Sequence, residues 1–291
     1  MSFLKVENLT HVYGSGVKGS KAAIKNISFS VDRGDVLGII GHTGSGKSTL
    51  VTHLNGLMKA NEGKIFLDGE DIWQNPKDIK KIRSRVGLVF QYPEYQLFEE
   101  NVYDDIAFGP SNLGVEGEEL DSAVREAAAL MKIHPSLLEK SPFDLSGGEK
   151  RRVAIAGVLA MKPELVVFDE PTAGLDPIGR DTIFKAISDY REKYNATVII
   201  VSHSMEDIAA VTNKVLVLND GEVALFGPTD KVFSDAKRLK ELGLGIPLVT
   251  EVFEKIKNQI PDIKGNPLTV DDAVSLINNY VNSKGGMHHD E

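Results

Sequence analysis

The chain has 291 residues, with 33 Lys and Arg against 42 Asp and Glu, a formal net charge of −9 and no cysteine. That length can bury a large core in one domain or two, and the missing cysteines exclude a disulfide framework and cysteine zinc sites and suit a reducing compartment. The acidic balance argues against broad nucleic-acid binding, which needs a basic face, so no nucleic acid is expected as partner; one local anion site remains compatible with it.

The opening "MSFLKVENLT" lacks the charged start and apolar run of a signal peptide. It reads as a strand, "FLKVEN", followed by "NISFSV" and "DVLGII". The last strand runs directly into "GHTGSGKSTL" and a helical stretch to Leu57. Strand-like "KIFLD" and "VGLVF" follow, and the pattern is mainly helical from about Asn101 to Lys162. Strands return at "LVVFDE", "TVIIVSH", "KVLVLND" and "EVALFG", with "IGRDTIFKAISDYREKY" as a helix between the first two. Alternating strands and helices predict a parallel sheet under helical cover, an α/β fold. The longest apolar runs, such as "LVVF" and "TVIIV", are too short to cross a bilayer, so membrane association is expected to need a partner.

The texture changes near Asp230. Val249, Val252, Phe253, Ile256 and Ile260 recur at helical spacing, and so do Ala273, Leu276, Ile277, Tyr280 and Val281. Thr269 is placed to cap the second of these helices, with Asp272 in its first turn. The expected division is a main domain over 1–230, a small helical domain over 231–285 and a tail at 286–291.

"GHTGSGKS" matches G-x-x-x-x-G-K-[ST] across Gly41, His42, Thr43, Gly44, Ser45, Gly46, Lys47 and Ser48. A chance match in a chain of this length is on the order of 1%. The glycines let several backbone N–H groups converge on one anion. Lys47 supplies a point charge for β- and γ-phosphates, Ser48 a hydroxyl for Mg²⁺, and Thr49 lies in reach of the α-phosphate. "LVVFDEPT" supplies a buried strand that delivers two carboxylates at its end. Asp169 suits Mg²⁺, directly or through water, and Glu170 can orient and deprotonate an attacking water. Alone, the acidic pair would read as a salt-bridged strand end; beside the phosphate loop it reads as the other half of a nucleotide site.

"LSGGEKRRVAIAGVLA" raises a question of its own, because it is a second helix start with exposed amides suited to an anion. An ordinary N-cap by Ser146 would account for the serine but not for the paired glycines. With "LSGGEKRR" ahead of "LVVFDEPT", then "GLDP" and "VSH", the chain resembles the ATP-binding cassette (ABC) ATPases. The motifs span Gly41 to His203 in the family's order, and the likeness extends to about residue 228.

The resemblance implies a P-loop NTPase of the ABC fold. That fold has a mixed, mainly parallel sheet core, an antiparallel β subdomain and an α-helical subdomain, here at about 92–164, followed by the small helical C-terminal domain. It implies ATP and Mg²⁺ as cofactors and a head-to-tail pair with an identical or homologous ATPase. In such a pair Leu145, Ser146, Gly147, Gly148 and Glu149 of one subunit close over the γ-phosphate held by the other. Gln91 resembles the glutamine that contacts Mg²⁺ and the water, Asp176 the loop residue that signals between the two sites, and His203 the histidine that contacts the γ-phosphate. Tyr13 is the candidate to stack on adenine, with a core or rim tyrosine as the plainer alternative.

"FQYPEYQLFEENV" narrows the resemblance to the ATPases of energy-coupling factor (ECF) transporters, importers of vitamins and of cobalt or nickel. "LGLGIPLVTEV" fits the same group, leaning to the second of its paired ATPases. This implies a transmembrane coupling subunit, a separate substrate-binding membrane subunit and a peripheral place on the cytoplasmic face of the cell membrane. It also implies a C-terminal domain that stabilises the ATPase pair. The acidic, aromatic stretch Tyr92–Asp105 is expected to take a cytoplasmic helix of the membrane partner through an arginine, with Glu94 the first choice as anchor and Asp104 the second. The rivals are another ABC importer ATPase, a soluble ABC protein acting on DNA or cluster assembly, and an ATP-gated switch without hydrolysis. A DNA-repair member would carry a long coiled-coil insert between Ser48 and Ser146, and a switch would not need Glu170.

Overall fold

The structure is a computed structural model that describes residues 2–14 and 21–285. The chain runs through β1 (Leu4–Val12), β2 (Ala22–Val31), β3 (Val36–Ile40), α1 (Lys47–Leu54), β4 (Glu62–Leu67), β5 (Glu70–Asp71), α2 (Ile79–Arg85) and β6 (Val86–Val89). Then come α3 (Val102–Asn112), α4 (Gly117–Leu130), α5 (Gly147–Leu159), β7 (Leu165–Asp169), α6 (Pro177–Tyr194), β8 (Thr197–Val201), α7 (Met205–Val211), β9 (Lys214–Asn219) and β10 (Glu222–Pro228). The last described helices are α8 (Thr229–Ser234), α9 (Ala236–Glu241), α10 (Leu248–Gln259) and α11 (Val270–Gly285).

Strands β3 and β8 are buried along their whole length, which is why they read as unbroken apolar runs rather than as alternation. They sit at the centre of a sheet ordered β10-β9-β3-β8-β7-β6. The pairs from β9 to β6 are parallel, and β10 adds an antiparallel edge. Because side chains alternate along each strand, the sheet feeds two cores. Val36, Ile40, Val166, Phe168, Val198 and Ile200 face the layer built from α3 to α6. Leu37, Ile39, Leu165, Val167, Ile199 and Val201 face α1 and the inner side of a second sheet. That sheet is antiparallel, ordered β2-β1-β4-β5, and its strands alternate because one face meets water.

Strands β3, β7 and β8 run parallel, so the loops after Ile40, Asp169 and Val201 leave the sheet at one end. In an open α/β sheet the carboxyl ends of the strands are where ligands bind. Helix α1 stops at Leu54 rather than at Leu57. Asn55 caps it and Gly56 takes a left-handed φ of 70°, the usual glycine stop. Helix α2 is too short for its period to show in the sequence.

The boundary expected at 231 is displaced. Val232, Phe233, Leu239, Leu244 and Ile246 join the main core. A separate small cluster of Phe253, Ile263 and Ala273 forms only in the α10–α11 segment. The two helices that the apolar spacing marks are α10 and α11, while α8 and α9, ahead of them, pack on the main domain. Thr269 caps α11 as its sequence suggests: its hydroxyl accepts from Asp272 N at 3.2 Å, while Asp272 Oδ2 accepts from Thr269 N at 3.1 Å. The expected tail, 286–291, lies outside the described residues.

Candidate active site

The loop from Gly41 to Gly46 is bent by glycines, and at Gly41 and Gly46 there is no room for a larger residue. Gly46 precedes α1 with φ 102°, and a Cβ there would meet Ala23 O at 2.7 Å. At Gly41 a Cβ would meet Leu218 O at 2.4 Å. The loop therefore packs closely against the backbone of β2 and β9 ahead of α1. Lys47 is the first residue of α1 and only 7% exposed. Its Nζ donates to Gly41 O at 2.6 Å and His42 O at 2.9 Å, so the ammonium is held inside the ring of loop atoms. Burial lowers its pKa, and the negative charges of Glu170 and Asp169 act in the opposite sense.

Thr43, Gly44, Gly46, Lys47, Ser48 and Thr49 line one open cleft with Ala23, Gln91, Asp169, Glu170 and His203. The sequence separates these residues by up to 180 positions; the parallel strand ends bring them to one wall. Asp169 closes β7, and burial raises its pKa against the charge of Lys47 and a hydrogen bond from Ser48. Glu170 adopts φ 52°, a left-handed conformation rare outside glycine. Burial and the neighbouring Asp169 push its pKa up to about 7. Its Oε1 is buried without a hydrogen bond, and His203 Nε2 stands 3.5 Å away. His203 follows β8, and burial and the charge of Lys47 lower its pKa, so its neutral form is favoured. A carboxylate that ionises near neutrality and keeps a free oxygen can take a proton from water.

Among the described residues no group of three or more His, Cys, Asp or Glu could hold a metal alone. Asp169, Ser48 and Gln91 nonetheless suit Mg²⁺, which keeps several waters and takes phosphate oxygens rather than a full protein cage. The unpartnered Glu170 oxygen beside them fits a site that is completed by a ligand and its waters.

Leu145–Glu149 does not line this cleft. Ser146 is the N-cap of α5 in a full capping box: its Oγ accepts from Glu149 N at 3.4 Å, and Ser146 N donates to Glu149 Oε2 at 2.9 Å. Its hydroxyl also donates to Glu149 Oε2 at 2.6 Å, and these bonds hold the Glu149 carboxyl below its ordinary pKa. The plain capping role of Ser146 is therefore present. It leaves the glycines unexplained, since a Cβ at Gly147 would meet nothing within 4 Å and one at Gly148 only the end of Arg152 at 3.9 Å. Asp176 caps α6, its Oδ1 accepting from Gly179 N at 2.8 Å, with Pro177 in the first turn. Tyr13 stands at the rim, 52% exposed, its hydroxyl 3.2 Å from Thr49 Oγ1 and its ring edge-on to His11.

Beyond Gln91 the chain makes a short turn at Pro93–Gln96 and enters α3. Tyr92, Tyr95, Phe98 and Phe108 are exposed there, the last two in edge contact. Phe108 was not among the residues expected, because its helix position alone does not mark it as surface. Glu94, the first choice as anchor for an external arginine, is already taken. Arg151 grips both of its carboxylate oxygens, at 2.8 and 3.0 Å, with the guanidinium only 3% exposed. Arg151 is not among the residues that the sequence motifs single out. The one available signal is its place at i, i+4, i+8 with Ile155 and Leu159, both buried.

A family model described as ABC transporter matches residues 24–173. An energy-coupling factor transporter ATP-binding protein EcfA2 of Caldanaerobacter subterraneus subsp. tengcongensis is 49% identical over 278 residues, covering 96% of this chain and 97% of the relative. The protein of the same name from Clostridioides difficile is 49% identical over 282 residues, 96% and 98% of the two chains. Among solved structures, cbiO1 from Clostridium perfringens, described as part of the ABC transporter complex cbiONQ, superposes with a TM-score of 0.74 at 37% identity over 87% of this chain and 99% of that one. A dimeric ATP-binding cassette, MJ0796, in a post-hydrolysis state with ADP and phosphate, matches with a TM-score of 0.70 at 28% identity over 78% of this chain and 98% of its own. With a phosphate loop, an acidic strand end and a helix-start signature in one sheet frame, the chain belongs to the ABC transporter family and, within it, to the ATP-hydrolysing energy-coupling factor transporter ATP-binding proteins.

Proposed function

We propose that this subunit works in a head-to-tail pair with a second ATPase subunit, each chain completing the other's site, and drives micronutrient uptake through membrane partners. The observation that carries this reading is the signature: a capped helix start with two glycines and open space around them, away from the cleft of its own chain. Glycines that no internal neighbour demands suit the close approach of another molecule, and exposed amides at a helix N-terminus suit its phosphate.

In the closed pair Lys47 and the loop amides hold the phosphates of one ATP, Tyr13 covers the adenine, and Ser146–Glu149 of the facing subunit caps the γ-phosphate. Asp169, Ser48 and Gln91 hold Mg²⁺, which when bound neutralises charge on the phosphates. Glu170 takes the proton of the attacking water, and His203 contacts the γ-phosphate and bears on Glu170. Asp176 links the two sites. No helix among the described residues is long and apolar enough to cross a membrane. The subunit sits on the cytoplasmic face and reaches the membrane through the aromatic patch after Gln91, where a transmembrane coupling subunit docks; a separate membrane subunit selects the substrate. Helices α10 and α11 help to hold the ATPase pair together.

Two substitutions test the pairing. Lys47→Ala lowers ATP affinity of the dilute single subunit by about 10- to 100-fold, the scale of lost charged hydrogen bonds. Ser146→Arg leaves that affinity within about twofold and abolishes hydrolysis in the assembled transporter, since a charged side chain now blocks the facing phosphate. Equal loss of monomer binding in both variants would rule out the head-to-tail arrangement.

A further inference from the structure

Arg151 lies one turn inside α5, on the helix whose start is the signature. Its guanidinium reaches two other segments that the chain order keeps far apart. Nε and Nη2 make a two-pronged pair with Glu94, in the turn after Gln91, and the group lies 5.6 Å from the Tyr92 ring centroid. Nη1 donates to Ala173 O and, at 3.5 Å, to Pro171 O, in the loop directly after Glu170. The five donors of a planar guanidinium can serve all of these in one geometry, and a lysine cannot.

Both segments gripped by Arg151 follow a backbone that is held out of its usual range. Tyr92 takes φ 55° and Glu170 takes φ 52°. Non-glycine residues keep such angles only where the surroundings hold them in place. Arg151 contacts the chain just after each of them, two residues beyond Tyr92 and one to three beyond Glu170.

We infer that Arg151 is a positioning residue that joins the signature helix, the membrane-facing turn at Tyr92–Gln96 and the loop after Glu170 into one unit, so that closure at the nucleotide and displacement at the membrane interface are a single movement. This rests on the reading that the membrane partner docks beside Tyr92–Asp105. Glu94 then serves as the internal end of the coupling rather than as a contact of the partner. With the bond intact, a push on the turn is passed to the signature and to the backbone that sets Glu170. With it cut, ATP can still bind, and hydrolysis no longer moves the interface by the full amount.

The test uses the assembled transporter reconstituted in vesicles with Arg151→Lys, Arg151→Gln, Glu94→Gln and the Arg151→Gln/Glu94→Gln double variant. ATP affinity of each isolated subunit is measured first and is expected to stay within about twofold of the parent, because none of these groups lines the cleft. Co-purification with the membrane subunits is expected to be normal. Substrate taken up per ATP hydrolysed falls about 3- to 30-fold in every variant, the range seen for residues that couple distant sites, and the double variant is no worse than the worse single one. Arg151→Lys does not rescue, since the charge alone cannot make the fork. Should Arg151→Gln fail to fold, Arg151→Lys and Glu94→Gln decide. An unchanged ratio of uptake to hydrolysis, with both rates merely lowered together, would assign Arg151 to stability alone and overturn the inference. Loss of co-purification in Glu94→Gln with Arg151→Lys assembling normally would make Glu94 a partner contact and overturn it as well. A Tyr95→Ala/Phe98→Ala variant that assembles and transports normally would instead reject the docking reading beneath it.

Discussion

At the scale of single residues, the cleft is a place where the fold accepts a cost. Glu170 is buried beside Asp169, which favours its neutral form, and the carboxyl ionises near pH 7 instead of 4.5. Below pH 4.5 it is protonated in both folded and unfolded chains and contributes no pH dependence. Between pH 4.5 and 7 the folded chain holds a proton that the unfolded chain has released, so stability of the nucleotide-free subunit falls as pH rises. The loss levels off above pH 7 at up to about 3 kcal/mol. Glu170→Gln removes the ionisable group and keeps its shape. Its denaturation midpoint is expected to match the parent's at pH 4.5 and to exceed it increasingly up to pH 7. A stability gain that does not change with pH would show that charge burial is not its source. The same variant should bind ATP and lose about 10²- to 10⁴-fold in turnover, the usual worth of a general base; hydrolysis near the parent rate would remove Glu170 from the proposed chemistry.

The start of α5 combines, over a few residues, a device for stability and a surface left open. Ser146 and Glu149 satisfy each other's backbone groups, so Ser146→Ala should cost about 1 kcal/mol of stability. Gly147 makes no such contribution, because a side chain there has free space. Gly147→Ala is therefore expected to leave the unfolding midpoint of the isolated subunit within about 0.5 kcal/mol and its ATP affinity unchanged. Hydrolysis in the assembled transporter should fall sharply, since the added methyl occupies the approach of the facing phosphate. Calorimetry on the single subunit and turnover of the complex separate the two effects; full turnover by the alanine variant would leave the paired glycines without a function. Helix α6 shows the same economy, as Asp176 caps the helix from a position proposed to signal between sites.

Over the whole molecule, the two cores meet across one sheet, and the loops that carry chemistry leave its common end. The patch proposed for the membrane partner lies beyond Gln91, where Tyr95 is 85% exposed and Phe98 58%. Its acidic residues are not equivalent. Glu94 is held by Arg151, and Asp105 accepts from Phe98 N and Glu99 N, which ties down the turn into α3. Asp104 is exposed, its Oδ2 accepting only a local bond from Asn101. The proposed anchor for a partner arginine is therefore Asp104 rather than Glu94. Asp104→Arg should weaken assembly with the membrane subunit by about 2–5 kcal/mol while leaving ATP binding of the single subunit intact. Normal co-purification of this variant would exclude Asp104 as the anchor.

The sequence by itself determined where the motifs lie, because a phosphate loop needs its glycines, lysine and serine in unbroken order and an acidic strand end needs its apolar run directly ahead of it. It likewise marked the central strands, whose continuous apolar runs reflect burial on both faces, and the caps at Ser146, Asp176 and Thr269, where donor and acceptor lie three residues apart. What lay out of its reach depended on partners distant along the chain. Arg151 and Glu94 are 57 positions apart, and helical spacing with Ile155 and Leu159 puts Arg151 on the buried face of α5 without saying what its guanidinium would meet there. The place where the last helices cease to belong to the main core was equally hidden, since helical spacing tells which face is apolar and not which surface covers it. Only the tertiary structure decided those questions, because burial, charge pairing and the elevated pKa of Glu170 are properties of what the fold brings alongside a residue, and local spacing carries no record of that.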